Sequence, residues 1–220
     1  MVSRRAATNR SRPGLAPRGL SALRWVAEQR AVRLDVLAHV LDPAEPYSPA
    51  RTRAVVRSWQ RRGLVECRRL LFGTSPLVWP TAAGLRASAV PSRAAPPPLG
   101  LLAHLHALCL VRLGVERLGG AWTSELHLAR ARWSADAHVA DAVVRTGRGE
   151  AAVEVELTPK GASRLRLIVD ELTLDHEHVV YVVAGPRVRT VVERAVDDLG
   201  RQPQVSITNL GSFALPTLTR

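Results

Sequence analysis

The chain contains a single lysine, Lys160, and its other thirty basic residues are all arginine. Lys160 lies four residues after Glu156 and six after Glu154, at the end of an alternating apolar and acidic segment. Lysine carries a compact charge whose pKa responds to its surroundings, whereas arginine stays protonated. A lysine beside two carboxylates, with Asp141 upstream, is a residue set that can hold a divalent cation and a phosphate group. The sequence therefore predicts a metal-and-phosphate site at these four residues.

The position of Asp141 relative to the glutamates depends on a predicted β-hairpin. The segments Val139–Arg145 and Glu150–Leu157 are expected to pair through a four-residue loop. This register puts Asp141 opposite Glu154 with Cβ atoms about 5 Å apart, and Glu156 on the same face about 6.6 Å further along. Three carboxylates this close require a divalent cation, raised pKa values or exposure to water. A three-residue loop would shift the pairing by one residue and separate Asp141 from Glu154.

Phosphodiester hydrolysis is the chemistry that this set favours. Asp141 and Glu154 are the predicted Mg²⁺ ligands, and the metal would polarise a phosphoryl oxygen and activate a water molecule. Glu156 and Lys160 complete the predicted catalytic set, with the lysine orienting the water or stabilising developing charge. Lys160 is expected at the second position of a helix over Pro159–Leu174, where the helix dipole disfavours a cation unless an anion offsets it. The alternative is ordinary Glu-Val-Glu alternation on a half-exposed strand, with no site at all.

The formal charge of +12 comes entirely from the first half of the chain. Residues 1–100 hold 17 arginines and 5 acidic residues, whereas residues 101–220 hold 14 of each sign. A basic excess confined to one half indicates that this half contacts a polyanion.

Residues 15–89 show three helical patterns followed by two short strands, which predicts a winged helix-turn-helix. The third helix begins after Ser48, a favoured N-cap residue, and ends near Gly63. Its arginines form a stripe at helical spacing, and two more lie on the predicted wing. The predicted DNA-binding residues are Arg51, Arg53, Arg57, Arg61, Arg62, Arg68 and Arg69. They would contact phosphates or guanine edges, and the alternative is a solvated basic face in an arginine-rich chain.

The rest of the chain divides at a proline-rich stretch. Residues 1–14 are expected to be a disordered basic tail, 90–100 a semi-stiff linker, and 101–220 a mixed sheet covered by helices. The predicted order in the last segment is α-β-β-β-α-β-α-β, including a weakly marked strand near Glu125–Trp133. An apolar helix near Leu101–Leu118 contains charged residues and histidines, so it is interpreted as a core helix and not as a membrane span.

Several further residues receive structural interpretations. Two histidine pairs, His104-x-His106 and His176-x-His178, have no clear partners and are expected to be structural or at the surface. Glu116 and Glu125 could supply a further acid to the site, although solvated carboxylates are favoured. Two distant cysteines and no apolar stretch after the N-terminal arginine pair predict a cytoplasmic protein without disulfides.

Two short motifs carry a resemblance to a known fold. The segment His138-Val-Ala-Asp141-Ala-Val-Val and the segment Ala152-Val-Glu-Val-Glu156-Leu-Thr resemble those of restriction-endonuclease-like PD-(D/E)xK domains. With Trp79-Pro-Thr-Ala-Ala-Gly-Leu85 at the end of the predicted winged helix, the chain resembles the replication-relaxation family of plasmids and other mobile elements. The resemblance covers nearly all of the chain after residue 15. Ala140 replaces the proline of the motif and Glu156 replaces its lysine.

The resemblance implies a protein that binds double-stranded DNA during replication, relaxation or transfer of a mobile element. Its nuclease-like domain would be either active or degenerate, and a relaxase or replication initiator is an implied partner. Two alternatives remain open from the sequence. One is an active Mg²⁺-dependent DNA endonuclease, and the other is a winged-helix transcriptional regulator whose C-terminal domain forms a homodimer or binds a partner.

Overall fold

The computed structural model describes residues 15–131 and 138–215. The predicted disordered tail, residues 1–14, lies outside the described residues. The N-terminal part contains four helices and a three-stranded sheet in the order β1-β3-β2. These elements are α1 (Pro17–Glu28), β1 (Val32–Arg33), α2 (Leu34–Leu41), α3 (Pro49–Arg61), β2 (Val65–Arg68), β3 (Leu77–Pro80) and α4 (Ala82–Ala87).

Helix α3 begins and ends as its sequence predicts. The Ser48 hydroxyl accepts a hydrogen bond from the Arg51 backbone N–H, and proline occupies the first helical position. Gly63 follows the helix with a φ of +70°, a conformation in which glycine carries no steric penalty. Val56 and Trp59 face inward and are buried in one core with residues of α1 and α2. The apolar side of α3 is thereby fixed against the fold, and its opposite side faces solvent.

The C-terminal part is built on a five-stranded mixed sheet in the order β4-β5-β6-β7-β8. Strands β4, β5 and β6 are antiparallel neighbours, whereas β6, β7 and β8 run parallel. Its elements are α5 (Leu102–Arg117), β4 (Ala121–Ser124), α6 (Glu125–Ala131), β5 (Ala142–Thr146), β6 (Gly149–Glu156), α7 (Ala162–Asp175), β7 (Val179–Val183), α8 (Pro186–Asp198) and β8 (Val205–Asn209). Helices α7 and α8 pack on one face of the sheet and α5 packs on the other. The predicted α+β class with a mixed sheet is confirmed.

Helix α5 belongs to both parts of the fold. Ala107 and Val111 pack against the large sheet, while Cys109 and Leu113 join the core of α1, α2 and α3. The stretch Leu99–Arg117 is the one helical segment among the described residues that is long and apolar enough to cross a membrane, judged by length and composition. Its apolar side chains fill two protein cores, as expected for a core helix.

A buried polar network also joins the two parts. Arg112 of α5, which is 6% exposed, donates hydrogen bonds to Glu28 of α1 (2.9 Å) and to Glu116 (2.7 Å). Glu116 in turn accepts from the Trp25 indole N–H at 2.8 Å. Glu116 therefore serves this junction, and its suggested role as a further site acid is not what the structure shows.

Two predicted elements of the C-terminal part were wrong. The strand expected near Glu125–Trp133 is a helix over Glu125–Ala131, and the edge strand lies earlier, at Ala121–Ser124. That strand pairs with β5, so sheet pairing and not local pattern sets its position. The helix expected from Pro159 begins at Ala162 with Gly161 as its N-cap, so Lys160 lies in the β6–α7 loop and not in the helix.

Candidate functional site

The predicted hairpin register is present in the structure. Arg145 pairs with Glu150, and the ladder between β5 and β6 continues to the pair Ala142 and Val153. Asp141 immediately precedes Ala142 and Glu154 immediately follows Val153, so these two residues lie at the same end of the hairpin. The alternation of β6 then places Glu156 on the same face as Glu154. The register is the one expected from the four-residue loop, but Thr146 also pairs with Gly149, so the loop itself contains only Gly147 and Arg148.

Asp141 is held in place by contacts on both of its carboxylate oxygens. Its Oδ2 accepts a hydrogen bond from the Val155 backbone N–H at 2.8 Å, which ties it to the neighbouring strand. Its Oδ1 accepts from His104 Nε2 at 3.0 Å, a contact that comes from helix α5. The backbone carbonyl of Asp141 accepts from the Glu125 N–H at 2.9 Å. Only 14% of the Asp141 side chain is exposed.

Glu154, Glu156 and Lys160 form a compact ionic cluster beside Asp141. Lys160 Nζ lies 3.4 Å from Glu154 Oε1 and 2.5 Å from Glu156 Oε2. The second oxygen of Glu154 accepts a hydrogen bond from His138 Nε2 at 3.1 Å. The two glutamate side chains are 3% and 7% exposed, whereas the lysine is 26% exposed. The cluster therefore combines three nearly buried carboxylates with a cation and two histidines at the rim.

The pKa values of the cluster follow from this mutual proximity. Hydrogen bonds to Asp141 and Glu154 raise the pKa of His104 and of His138, respectively, against the opposing effect of burial. Burial raises the pKa of Glu156, and the lysine beside it only partly reverses that shift. Burial alone would lower the pKa of Lys160, but its bond to Glu156 and the charges of both glutamates outweigh burial and raise it. Each base in the cluster is thus biased toward its protonated, cationic form.

Tyr181 extends the cluster into the core. It pairs with Glu154 across β6 and β7, it is fully buried, and its hydroxyl has no hydrogen-bond partner within residues 15–131 and 138–215. Burial and the charge of Glu154 raise the pKa of the Tyr181 phenol. Tyr181 is accordingly a neutral phenol next to the carboxylates, and it was not singled out by its sequence context, which is a plain apolar strand.

Protein donors contact the carboxylates of the predicted Mg²⁺ site. Mg²⁺ binds carboxylate oxygens in near-octahedral geometry and keeps several of its water ligands. Each oxygen of Asp141 and Glu154 already accepts a bond from a protein N–H or ammonium group. In the part of the chain that the structure describes, no group of three or more His, Cys, Asp or Glu side chains is arranged to hold a metal ion. Mg²⁺ would therefore compete with Lys160 and the two histidines for these oxygens.

The structure brings together all four residues of the predicted catalytic set and adds His104 and His138. His104 was expected to be structural or at the surface, because histidines two apart on a helix do not face one site. They indeed face different partners, since His106 Nε2 lies 3.3 Å from Arg33 Nη1 in the N-terminal part. The signal for His138 was its position three residues before Asp141, within the motif itself. The remaining suggestion, Glu125, pairs with Arg30 at 3.0 Å.

The arginines of α3 form a second candidate site, on the N-terminal part. Arg53, Arg57 and Arg61 lie at intervals of four residues and are all exposed. Within the described residues none of the three forms an ion pair or a hydrogen bond through its side chain. We call these three residues the α3 stripe. Arg51 is also exposed, and its guanidinium carbon lies 3.6 Å from the centroid of the Tyr47 ring.

The remaining predicted DNA-binding arginines differ in their surroundings. Arg62 is half-buried at the end of α3. Arg68 is exposed on β2 and pairs with Glu66 at 3.0 Å, and Arg69 is exposed immediately after that strand. Four of the seven predicted arginines lie on α3, Arg62 is its C-cap residue, and two lie on the adjoining hairpin, so all of them belong to one small part of the fold.

Comparison with known proteins leaves the family open. No family model matches the sequence, and no curated protein matches it significantly. The resemblance to the replication-relaxation family stays a prediction from the motifs.

Proposed function

We propose that this chain is a DNA-binding protein whose N-terminal part is a winged helix-turn-helix, with α3 as the recognition helix. The observation that carries the proposal is the α3 stripe, three exposed arginines on one side of a helix whose other side is fixed in the core. Such a helix can enter the major groove of B-DNA. Its arginines would neutralise phosphates or donate to guanine edges.

The energetics of the stripe support a polyanionic partner. Like charges four residues apart on a helix destabilise it by about 0.2–0.5 kcal/mol per pair. The stripe has two such pairs and no acidic residue between them, since α3 contains no Asp or Glu. Bound phosphates would remove the repulsion and release counterions from the DNA. The charge that is unfavourable in the free protein thus becomes favourable in the complex.

The C-terminal part serves in this proposal as a nuclease-like scaffold. Its antiparallel hairpin joined to two parallel strands, with helices on both faces, supports the resemblance to PD-(D/E)xK domains. Its acidic cluster is held by internal ion pairs and is better suited to stabilising the fold than to binding a metal. By the same resemblance, the proposed setting is replication, relaxation or transfer of a mobile element, with a relaxase or replication initiator as the partner.

The test is a fluorescence anisotropy titration of a labelled DNA duplex with two matched triple variants. One variant replaces the α3 stripe by glutamine, and the other replaces Arg164, Arg187 and Arg194, which are exposed on α7 and α8. Both variants lower the formal net charge by three. We expect the stripe variant to lose at least tenfold in affinity and the control variant to stay within about threefold of wild type. Equal losses in both variants would mean that net charge, and not α3, carries the binding.

A further inference from the structure

The connection between β2 and β3 presents an aromatic side chain to solvent. Phe72 is 100% exposed, and the adjacent Leu71 is 44% exposed. Phe72 is one of only two phenylalanines in the chain, and it is the most exposed large apolar residue within residues 15–131 and 138–215. A single exposed apolar residue needs no explanation by itself. Phe72, however, lies in a tight turn and follows two exposed arginines, Arg68 and Arg69.

The backbone holds Phe72 at the tip of a tight turn. The Leu71 carbonyl accepts hydrogen bonds from both the N–H (3.4 Å) and the hydroxyl (2.9 Å) of Thr74. Gly73 follows Phe72 with a φ of +72°, which suits the third position of a type II turn. Phe72 occupies the second position, whose side chain points away from the turn. The turn therefore fixes the backbone from which the Phe72 side chain projects, and this reduces the backbone entropy that would be lost on binding.

The segment that leads into the tip carries two arginines and one glutamate. Arg68 and Arg69 are exposed just before the turn. Glu66 pairs with Arg68, and after Glu66 the sequence contains no acidic residue until Glu116. An exposed ring flanked by arginine forks has the chemistry to contact a polyanion that carries flat aromatic groups.

We propose that Phe72 inserts as a wedge between adjacent bases of the DNA bound by α3. The proposal rests on the proposed function and specifies how that DNA is deformed. Apolar side chains that enter a base step unstack it and kink the duplex, at a cost that is offset by additional contacts. The arginines before the turn would bind phosphates on either side of the step, and the ring would stack on the exposed base faces. Leu71 would cover the edge of the same step.

A lipid surface is the rival explanation for a basic, apolar tip. Stable attachment to a membrane requires a wide apolar face or a lipid chain. The turn offers one ring and one half-exposed leucine, and the other exposed leucines lie on separate elements. Stacking on a base requires only a single ring, so the small apolar area favours DNA.

The experiment is a plasmid unwinding assay, which does not require the recognition sequence. A closed circular plasmid is relaxed by topoisomerase I in the presence of the full-length protein, and the topoisomer distribution is read after deproteinisation. The variants are Phe72→Ala, Phe72→Trp and the control Leu118→Ala, which removes an 89% exposed apolar side chain at the end of α5. Anisotropy with a labelled duplex sets equal occupancy for each variant, and circular dichroism verifies the fold.

We expect wild type, Phe72→Trp and Leu118→Ala to shift the topoisomers, and Phe72→Ala to lose the shift. Phe72→Ala is also expected to bind about tenfold more weakly with an unchanged salt dependence, because no phosphate contact is removed. DNA binding by wild type without a topoisomer shift, or a shift retained in Phe72→Ala, would overturn the wedge and leave the proposed function standing. Absence of DNA binding by wild type would overturn both. Phe72-dependent binding to phosphatidylserine vesicles without plasmid unwinding would overturn the wedge in favour of the lipid surface.

Discussion

Replacing Lys160 by methionine is expected to lower the free energy of unfolding by about 3 kcal/mol at pH 8. The lysine is the ion-pair partner of two glutamates whose side chains are 3% and 7% exposed. Removing one partner of a buried pair typically costs about 3–5 kcal/mol, because the remaining charge is left uncompensated. The lysine itself is 26% exposed, so water compensates part of the loss and the lower end of that range applies.

The cost of this substitution should shrink as the pH falls. Burial already raises the pKa of Glu156 with Lys160 present, and without the lysine the pKa rises further. A buried carboxylate with a raised pKa destabilises the fold above that pKa and no longer does so once protonated. The difference between wild type and Lys160→Met is therefore largest at pH 8 and smaller at pH 5.

Urea denaturation at both pH values measures this effect. Arg166→Met is the matched control, because Arg166 forms an ion pair with Asp198 in which the two side chains are 42% and 52% exposed. That exposed pair is expected to contribute less than about 1 kcal/mol. The reasoning is refuted if Lys160→Met costs no more than Arg166→Met at pH 8, or if its cost is the same at both pH values.

Three further predictions concern the fold and the cluster. Gly84→Ala should destabilise the protein by about 3 kcal/mol in urea denaturation, because the added Cβ would lie 2.0 Å from the Leu64 carbonyl oxygen. The control Gly100→Ala, whose added Cβ meets no atom within 4 Å, should be close to neutral. The hydrogen bond to Glu154 raises the pKa of His138 in the folded protein. The stability that this bond provides is therefore full below the unfolded pKa and is lost as the pH rises through the folded pKa. His138→Gln should weaken the decline of wild-type stability between pH 6 and pH 8. A calorimetric titration of Mg²⁺ into the wild-type protein should give no heat of site binding, because the carboxylate oxygens already accept bonds within the protein. For the same reason, supercoiled plasmid incubated with the protein and Mg²⁺ should stay intact. Saturable heat at millimolar Mg²⁺, or nicking of the plasmid, would contradict this prediction.

The candidate cluster was largely predictable because it depends on one hairpin. Strand alternation and a turn of fixed length determine which residues lie opposite each other, and both are local in sequence. The register placed Asp141, Glu154 and Glu156 together without knowledge of the remaining fold. The contact of His104 with Asp141 was not predictable, because it depends on how α5 packs across the sheet.

The errors in the sequence prediction arose where tertiary contacts override local signals. Thr158 and Pro159 are good helix-start residues, yet the helix begins only at Ala162. In the intervening loop, Lys160 turns back to the glutamates of β6. The stretch after Ser124 was expected to be a strand, but pairing with β5 ends there and the chain continues as a helix. Its short length left the choice between helix and strand to packing.

The salt dependence of DNA binding tests the central claim, that the α3 stripe contacts DNA phosphates, most directly. The logarithm of the association constant is measured against the logarithm of salt concentration for wild type and for the two triple variants. Each phosphate contact contributes about 0.9 to the slope, so loss of the stripe should reduce its magnitude by about 2.7 if all three arginines bind phosphates. The control variant with glutamine at Arg164, Arg187 and Arg194 should keep the wild-type slope. Identical slopes for the stripe variant and wild type, or wild-type binding that does not respond to salt, would contradict the account.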